Sequence, residues 1–284
     1  MPKTQTELFN DITRKIKHMM TTEGTNWLKP WTSGATNALT GKRYRGINCL
    51  FLSNCTHWAT YKQWQELGCQ VQKGQKATTG LLFKPVTWSK EIEGETESGV
   101  YFMLREFKVF SAAQVDGFER PTSTKSDFER HAAADQFITN TGAKIVTGSA
   151  ASYQPSLDLV HMPAAASFID TETSTARQSY YSTMFHELAH WTGHRTRLDR
   201  LPSARFGSRD YAKEELVAEL AAAMTCGHLG LSAEPRRDHA RYLNSWLEKL
   251  DENPKYFAQA CGRAARACDY LIELQDSTQL PVAA

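Results

Sequence analysis

No apolar run in these 284 residues approaches the roughly 18 positions that a membrane-spanning helix requires. The chain opens on Pro2-Lys-Thr-Gln-Thr6 rather than on a charged-then-apolar leader. Both absences lead us to expect a soluble, cytoplasmic protein with no membrane partner. The six cysteines (Cys49, Cys55, Cys69, Cys226, Cys261 and Cys268) include no Cys-x-x-Cys pair, which argues against a zinc ribbon. Their mostly apolar neighbours mark them as buried free thiols. Internal repeats and low-complexity stretches are missing too, and residues 175 to 192 contain neither Pro nor Gly. At 41% hydrophobic residues the chain has enough apolar material for two domains with real cores.

The stretch without helix breakers contains His186-Glu-Leu-Ala-His190, followed by Trp-Thr-Gly-His194. Thr173, Ser174 and Thr175 offer N-cap hydroxyls, and Gly193 is a natural stop. Four residues apart on a helix, His186 and His190 share a face and can grip one metal ion, which leaves Glu187 placed as general base. This is the zincin signature, so metal-dependent peptide hydrolysis is the first hypothesis. A metzincin would place its third His where Thr196 stands, so the third ligand should be a carboxylate from a later helix. Residues 210 to 228 supply Glu215 and Glu219, again four apart, an arrangement that resembles the gluzincins. Glu215 is the expected ligand, with Glu214 and Glu219 as further candidates and Glu219 also suited to orienting a ligand His from behind. The same three glutamates would suit a solvated helix face, but the two-His pattern upstream favours the site. His194, just past Gly193, reads as a supporting or substrate-contacting residue. His161, His228 and His239 have no partner at ligand spacing.

A net charge of +2 hides an asymmetry, because residues 1 to 125 carry 17 Lys or Arg against 11 Asp or Glu and the remainder 16 against 20. Five of the seven tryptophans also stand in the basic part. Cations interleaved with aromatics suit a single-stranded nucleic acid, and equally the core of a small domain with a solubilising surface. Residues 116 to 126 are polar, contain Gly and Pro, and read as a linker. Ahead of them we expect a first helix through Leu8, Ile12, Ile16 and Met20, a helix from Thr60 to Leu67, a turn at 70–76, and strands Leu81–Lys84 and Val100–Leu104 around an acidic loop. Behind them we expect a helix at 127–139, strands at 143–146 and 157–162, and the two metal-bearing helices. Two further helices should follow, one presenting Tyr242, Trp246 and Leu250 and one spanning Tyr256 to Glu273. The fold class is therefore α+β in two domains, 1–120 and 127–284, the second of zincin type.

Several motifs in order, Trp27-Leu-Lys-Pro-Trp31, Tyr44-Arg-Gly-Ile-Asn48, Trp58-Ala-Thr-Tyr-Lys-Gln63, Gly68-Cys-Gln-Val-Gln-Lys-Gly74, His186 to His194, Arg197-Leu-Asp-Arg200 and Phe206 to Leu216, together resemble the ArdC-type antirestriction proteins of conjugative plasmids. The resemblance implies an N-terminal single-stranded DNA-binding domain, shared with certain plasmid primases, and a C-terminal gluzincin-type metallopeptidase domain. It further implies that the protein shields incoming plasmid DNA from restriction. On that basis Trp27, Trp31, Tyr44 or Trp58 would stack bases, and Lys42, Arg43, Arg45, Lys62, Lys73 and Lys76 would meet phosphates, with Asn48 among the contacts. His186, His190 and Glu215 would hold Zn2+, with Mn2+ or Co2+ as alternatives. The protein partner would be a restriction component or another DNA-bound protein. Two other readings share these residues: a DNA-binding protector whose metal domain is not catalytic, and a DNA-tethered protease acting on DNA-bound or cross-linked proteins.

Overall fold

The structure is a computed structural model that describes residues 5–23, 35–52, 55–92, 95–119, 127–170, 174–201, 209–231, 240–253 and 255–277. Helical spacing of apolar residues folds Gln5–Glu23 into α1, whose Ile16 and Met20 are fully buried. Short elements follow: β1 (Thr36–Asn37), α2 (Asn48–Phe51), β2 (His57–Ala59), α3 (Tyr61–Glu66) and β3 (Gln70–Val71). The start of α3 is set by Thr60, whose hydroxyl accepts from the Gln63 backbone N–H while the Gln63 side chain accepts from the Thr60 N–H. Two orphan donors are satisfied reciprocally.

Strands β4 (Thr78–Ile92) and β5 (Glu95–Ser111) form a long antiparallel hairpin, paired from Thr78↔Val109 to Ile92↔Glu95. They run well beyond the two short strands expected and take in most of the acidic stretch expected as loop, of which residues 93–94 lie outside the described residues. An antiparallel ladder is made of backbone groups, so it can continue where the apolar pattern that betrays a strand has stopped. The sheet order β1-β2-β5-β4 leaves β4 at an edge, which tolerates the missing N–H of Pro85. β6 (Val115–Asp116) pairs with β3. Of the segment expected as linker, Asp116 is thus in a strand, and residues 120–126 lie outside the described residues.

The rear part begins with α4 (Asp127–Asn140) and a three-stranded sheet of β7 (Lys144–Thr147), β8 (Ser152–Gln154) and β9 (Leu159–Met162), in the order β7-β9-β8. Then come α5 (Ala176–Thr192), α6 (Arg209–Leu229), α7 (Ala240–Glu252) and α8 (Tyr256–Ser277). α6 is buried on every side from Glu214 to Gly227, packed between α5 and α8. Its alanines, Ala218 and Ala221 to Ala223, let both neighbours approach closely. Trp246 of α7, as expected a core residue, donates its indole N–H to the Ala212 carbonyl at 2.7 Å.

The two domains share one core. Ile16, Met20, Ile47, Leu81 and Leu104 from the front belong to the same apolar cluster as the faces of α5, α6 and α8. The front keeps two smaller clusters of its own, around Trp64 and Trp58. Ion pairs Lys17–Asp251 and Arg45–Asp269 also join front to rear.

Candidate metal centre

α5 begins where its sequence says it should. The Thr175 hydroxyl accepts from the Gln178 N–H, Gln178 returns the favour to the Thr175 N–H, and Asp170 accepts from the Ala176 N–H at 2.7 Å. Its last turn ends at Gly193, which has φ −78° and so makes no use of glycine's left-handed freedom. What it provides is space: a Cβ there would stand 3.0 Å from Leu201 Cγ and 3.1 Å from both an Arg200 guanidinium nitrogen and the His190 carbonyl.

His186 and His190 leave α5 on one face with Nε2 atoms 3.1 Å apart. Glu215 reaches them from α6, with Oε2 at 3.5 Å from His186 Nε2 and Oε1 at 3.3 Å from His190 Nε2. All three residues are buried, and they form the group of potential ligands found among the described residues. A tetrahedral cation with bonds of roughly 2.0–2.2 Å needs donors about 3.4 Å apart, so the residues present fit one.

Each imidazole is held from behind by its own carboxylate. Glu219 Oε1 lies 2.8 Å from His186 Nδ1, and Glu214 Oε1 lies 3.2 Å from His190 Nδ1. The Glu214 contact is a hydrogen bond that turns the far nitrogen of His190 toward the common centre, and Glu219 stands behind His186 as a close ion-pair partner. Glu214, one of the further ligand candidates, stands behind His190 and outside the group of potential ligands. It is clamped by Arg200, whose guanidinium donates to both carboxylate oxygens, to the Thr192 hydroxyl at 3.1 Å and to the Ala189 carbonyl at 2.7 Å. Burial would raise the Glu214 carboxyl, but the hydrogen bonds from His190 and Arg200 outweigh it and hold it below its usual range. Burial would likewise lower His190, yet its hydrogen bonds to Glu214 and Glu215 push it up to about 10. Burial would raise the Glu215 carboxyl, but hydrogen bonds from His186 and then His190 hold it far below the usual carboxylate range. The centre is built to attract positive charge.

Glu187 is 3% exposed and follows His186 directly, within about 100° of both ligands around the helix axis. The remaining expectations fare unevenly. His194 bonds the Thr196 hydroxyl at 2.8 Å and stands outside the ligand group. Past Gly193 the chain leaves the helix, so the i, i+4 row no longer determines where His194 points. Arg197, just beyond, lies 3.9 Å over the Trp191 ring, donates to the Trp191 carbonyl at 2.6 Å and pairs with Asp158 in the β8–β9 turn. It ties the end of α5 to the sheet. Arg197 and Arg200 escaped residue-level reasoning, because a loop arginine has no period. The signal that could have found Arg200 is the pair Glu214-Glu215, which needs a cation for whichever member is not the ligand.

In the front domain Trp58 is 1% exposed, and its indole donates to the Leu52 and Cys55 carbonyls. It is a core residue with no face left for a base, which corrects the expectation that it stacks. Asn48 is also engaged, bridging to the Leu81 N–H and carbonyl at 2.8 Å each. Tyr44 is half-buried, stacked on Phe107 at 6.1 Å. Lys42, Lys62, Lys73 and Lys76 are exposed, as is Arg45, which pairs with Asp269 of α8, while Arg43 is half-buried beside α6 and α8. Trp27 and Trp31 lie outside the described residues. All six cysteines are free thiols as expected, four of them buried. No helix among the described residues is long and apolar enough to cross a membrane.

Residues 3–110 match the model of the N-terminal domain of anti-restriction factor ArdC, and residues 132–263 that of a zincin-like metallopeptidase. Protein y4eC of Sinorhizobium fredii is 34% identical over 98% of this chain and 95% of its own length. DNA primase TraC of Escherichia coli is 35% identical over 88% of this chain, which spans only 25% of that primase. The metal-free crystal structure of antirestriction protein ArdC from plasmid R388 superposes with a TM-score of 0.75 at 35% identity, covering 96% of this chain and 99% of that one. Its Mn(II)-bound form superposes at 0.73 with 33% identity. With both halves matched in order and a relative of this identity covered almost end to end, the chain belongs to the ArdC antirestriction family, an ArdC N-terminal domain joined to a zincin-like metallopeptidase domain.

Proposed function

We propose that this protein binds single-stranded DNA through its front domain and hydrolyses a peptide bond at the His186/His190/Glu215 centre, protecting incoming conjugative plasmid DNA from restriction. The observation that carries this reading is the cage itself: two imidazoles and a carboxylate at metal-ligand separations, each imidazole oriented by its own buried glutamate, with Glu187 on the adjacent helix position. Zn2+ suits this donor set, as do Mn2+ and Co2+. Such a cation supplies Lewis acidity that polarises a carbonyl and acidifies water. Glu187 then takes the proton from the attacking water and returns it to the leaving amine. Burial of the glutamates keeps bulk water from competing for these charges.

Three features support the DNA reading: the net positive front half, its exposed lysines and one exposed aromatic that sequence reasoning passed over. Tyr61 is 45% exposed at the start of α3, next to Lys62 and within 3.4 Å of the Gln70 side-chain amide, and it takes the stacking role vacated by Trp58. A strand held there would bring the peptidase domain to DNA-bound protein, a restriction component being the natural target.

Glu187→Ala decides the matter. It should keep the metal and lower peptide hydrolysis by roughly a hundred- to ten-thousand-fold, and plasmid transfer into a restricting recipient should fall with it. If transfer is protected as well as by the unaltered protein, hydrolysis is not the means, and the chain is a DNA-binding protector.

A further inference from the structure

The segment between β1 and α2 lays Arg43 and Arg45 against α6 and α8, and a cavity of about 70 Å3 lies between them. A single water needs roughly 10–15 Å3, so there is room for a polyatomic ion. Its walls include Arg43, Arg45, Cys49, His228, Cys268 and Asp269. Asp269 is taken up by its ion pair with Arg45. Arg43 has neither an ion pair nor a side-chain hydrogen bond with any described residue, although it is half-buried. The two thiols beside it do not neutralise it, because burial pushes Cys49 up to about 12 and Cys268 up to about 11. His228 is kept below its usual value, first by burial and then by Arg43 itself. One guanidinium therefore faces a cavity that holds no balancing anion of its own.

We propose that this cavity is a phosphate-binding pocket at the seam of the two domains, with Arg43 presenting its planar fork to the oxyanion and Arg45 flanking the mouth. A fork of N–H donors fits a tetrahedral oxyanion through two oxygens at once, and the cavity's size matches such a group. The phosphate is either a backbone phosphodiester of a DNA strand or a free phosphate compound. The strand as source rests on the DNA reading above; the pocket does not. Met224, which also lines it, lies nine residues beyond Glu215 on α6, so an occupied pocket would brace the helix that supplies the third ligand.

The test uses the full chain in phosphate-free buffer, titrated with inorganic phosphate by calorimetry while backbone hydrogen–deuterium exchange across residues 43–49 is followed by mass spectrometry. Phosphate should bind, slow exchange across 43–49, and bind about tenfold or more weakly to Arg43→Gln. Arg43→Lys, which keeps the charge and loses the fork, should fall between, and the exposed-surface control Lys144→Gln should match the parent. Equal affinity in Arg43→Gln, or exchange across 43–49 unchanged at saturating phosphate, overturns the pocket. A single-stranded oligonucleotide in a second arm identifies the source. If it also slows exchange across 43–49 the strand is the ligand, and if it binds without slowing that exchange the pocket serves a free phosphate compound. An oligonucleotide that does not bind at all sinks the DNA reading and leaves the phosphate arm to decide the pocket.

Discussion

Arg200 touches no ligand, yet the metal cage leans on it. Its guanidinium and the Glu214 carboxylate are both buried, so removing the cation strands a charge in the interior. Arg200→Met should cost about 3–5 kcal/mol in urea unfolding, and a loss below 1 kcal/mol, the range of a surface pair, would show that water reaches Glu214. The carboxylates behind the imidazoles act on the metal instead. Glu219→Gln and Glu214→Gln keep volume and an acceptor oxygen but lose the charge that polarises Nδ1–H, so each should weaken metal binding about 10- to 100-fold in competition with a chelator. Unchanged affinity would reduce both to packing residues. At this scale His186, Glu187, His190 and Glu215 were legible because a helix turns i, i+4 spacing into a shared face. Arg200 was not, since it acts from a turn whose path no local pattern sets.

The register of α5 governs where those side chains point, and it is set at both ends. Thr175→Ala removes the N-cap and should cost about 1 kcal/mol, a fall in Tm of roughly 2–4 °C for a chain of this size if it unfolds as one unit. At the other end Gly193→Ala presses a methyl against Arg200 and Leu201. It should weaken metal binding several-fold while α5 stays helical by circular dichroism, since it acts through the Arg200–Glu214–His190 chain. An alanine variant with parental metal affinity would mean that Arg200 yields without moving Glu214. Both ends of α5 could be read from a hydroxyl and a glycine, although the glycine serves close packing rather than a left-handed turn. The hairpin of β4 and β5 was read far too short, because beyond Leu104 and Lys84 its continuation depends on the partner strand's backbone. β8 was missed for the same reason: three residues become a strand only beside β9.

Over the whole molecule, packing binds the two domains more closely than composition implied. Ile16, Met20, Ile47, Leu81 and Leu104 lose their partners if the front is cut away, so tests of DNA binding belong to the full chain. There, affinity for single-stranded DNA should fall steeply with salt, and Lys62→Gln and Lys73→Gln should each flatten the log–log slope by about 0.7. A slope unchanged in both variants would place the strand elsewhere. The sequence by itself determined the two-His helix, the rejection of a third His at Thr196, the acidic helix that follows, and the basic bias of the front, because each is a matter of composition or of one helical period. Only the tertiary structure decided that Glu214 stands behind His190 and Glu219 behind His186, that Trp58 is core and Tyr61 is open, and that Arg43 lines a cavity. Those outcomes depend on how α6, the turn after Gly193 and the front sheet settle against α5 and α8, and such long-range packing leaves no period in the chain to read.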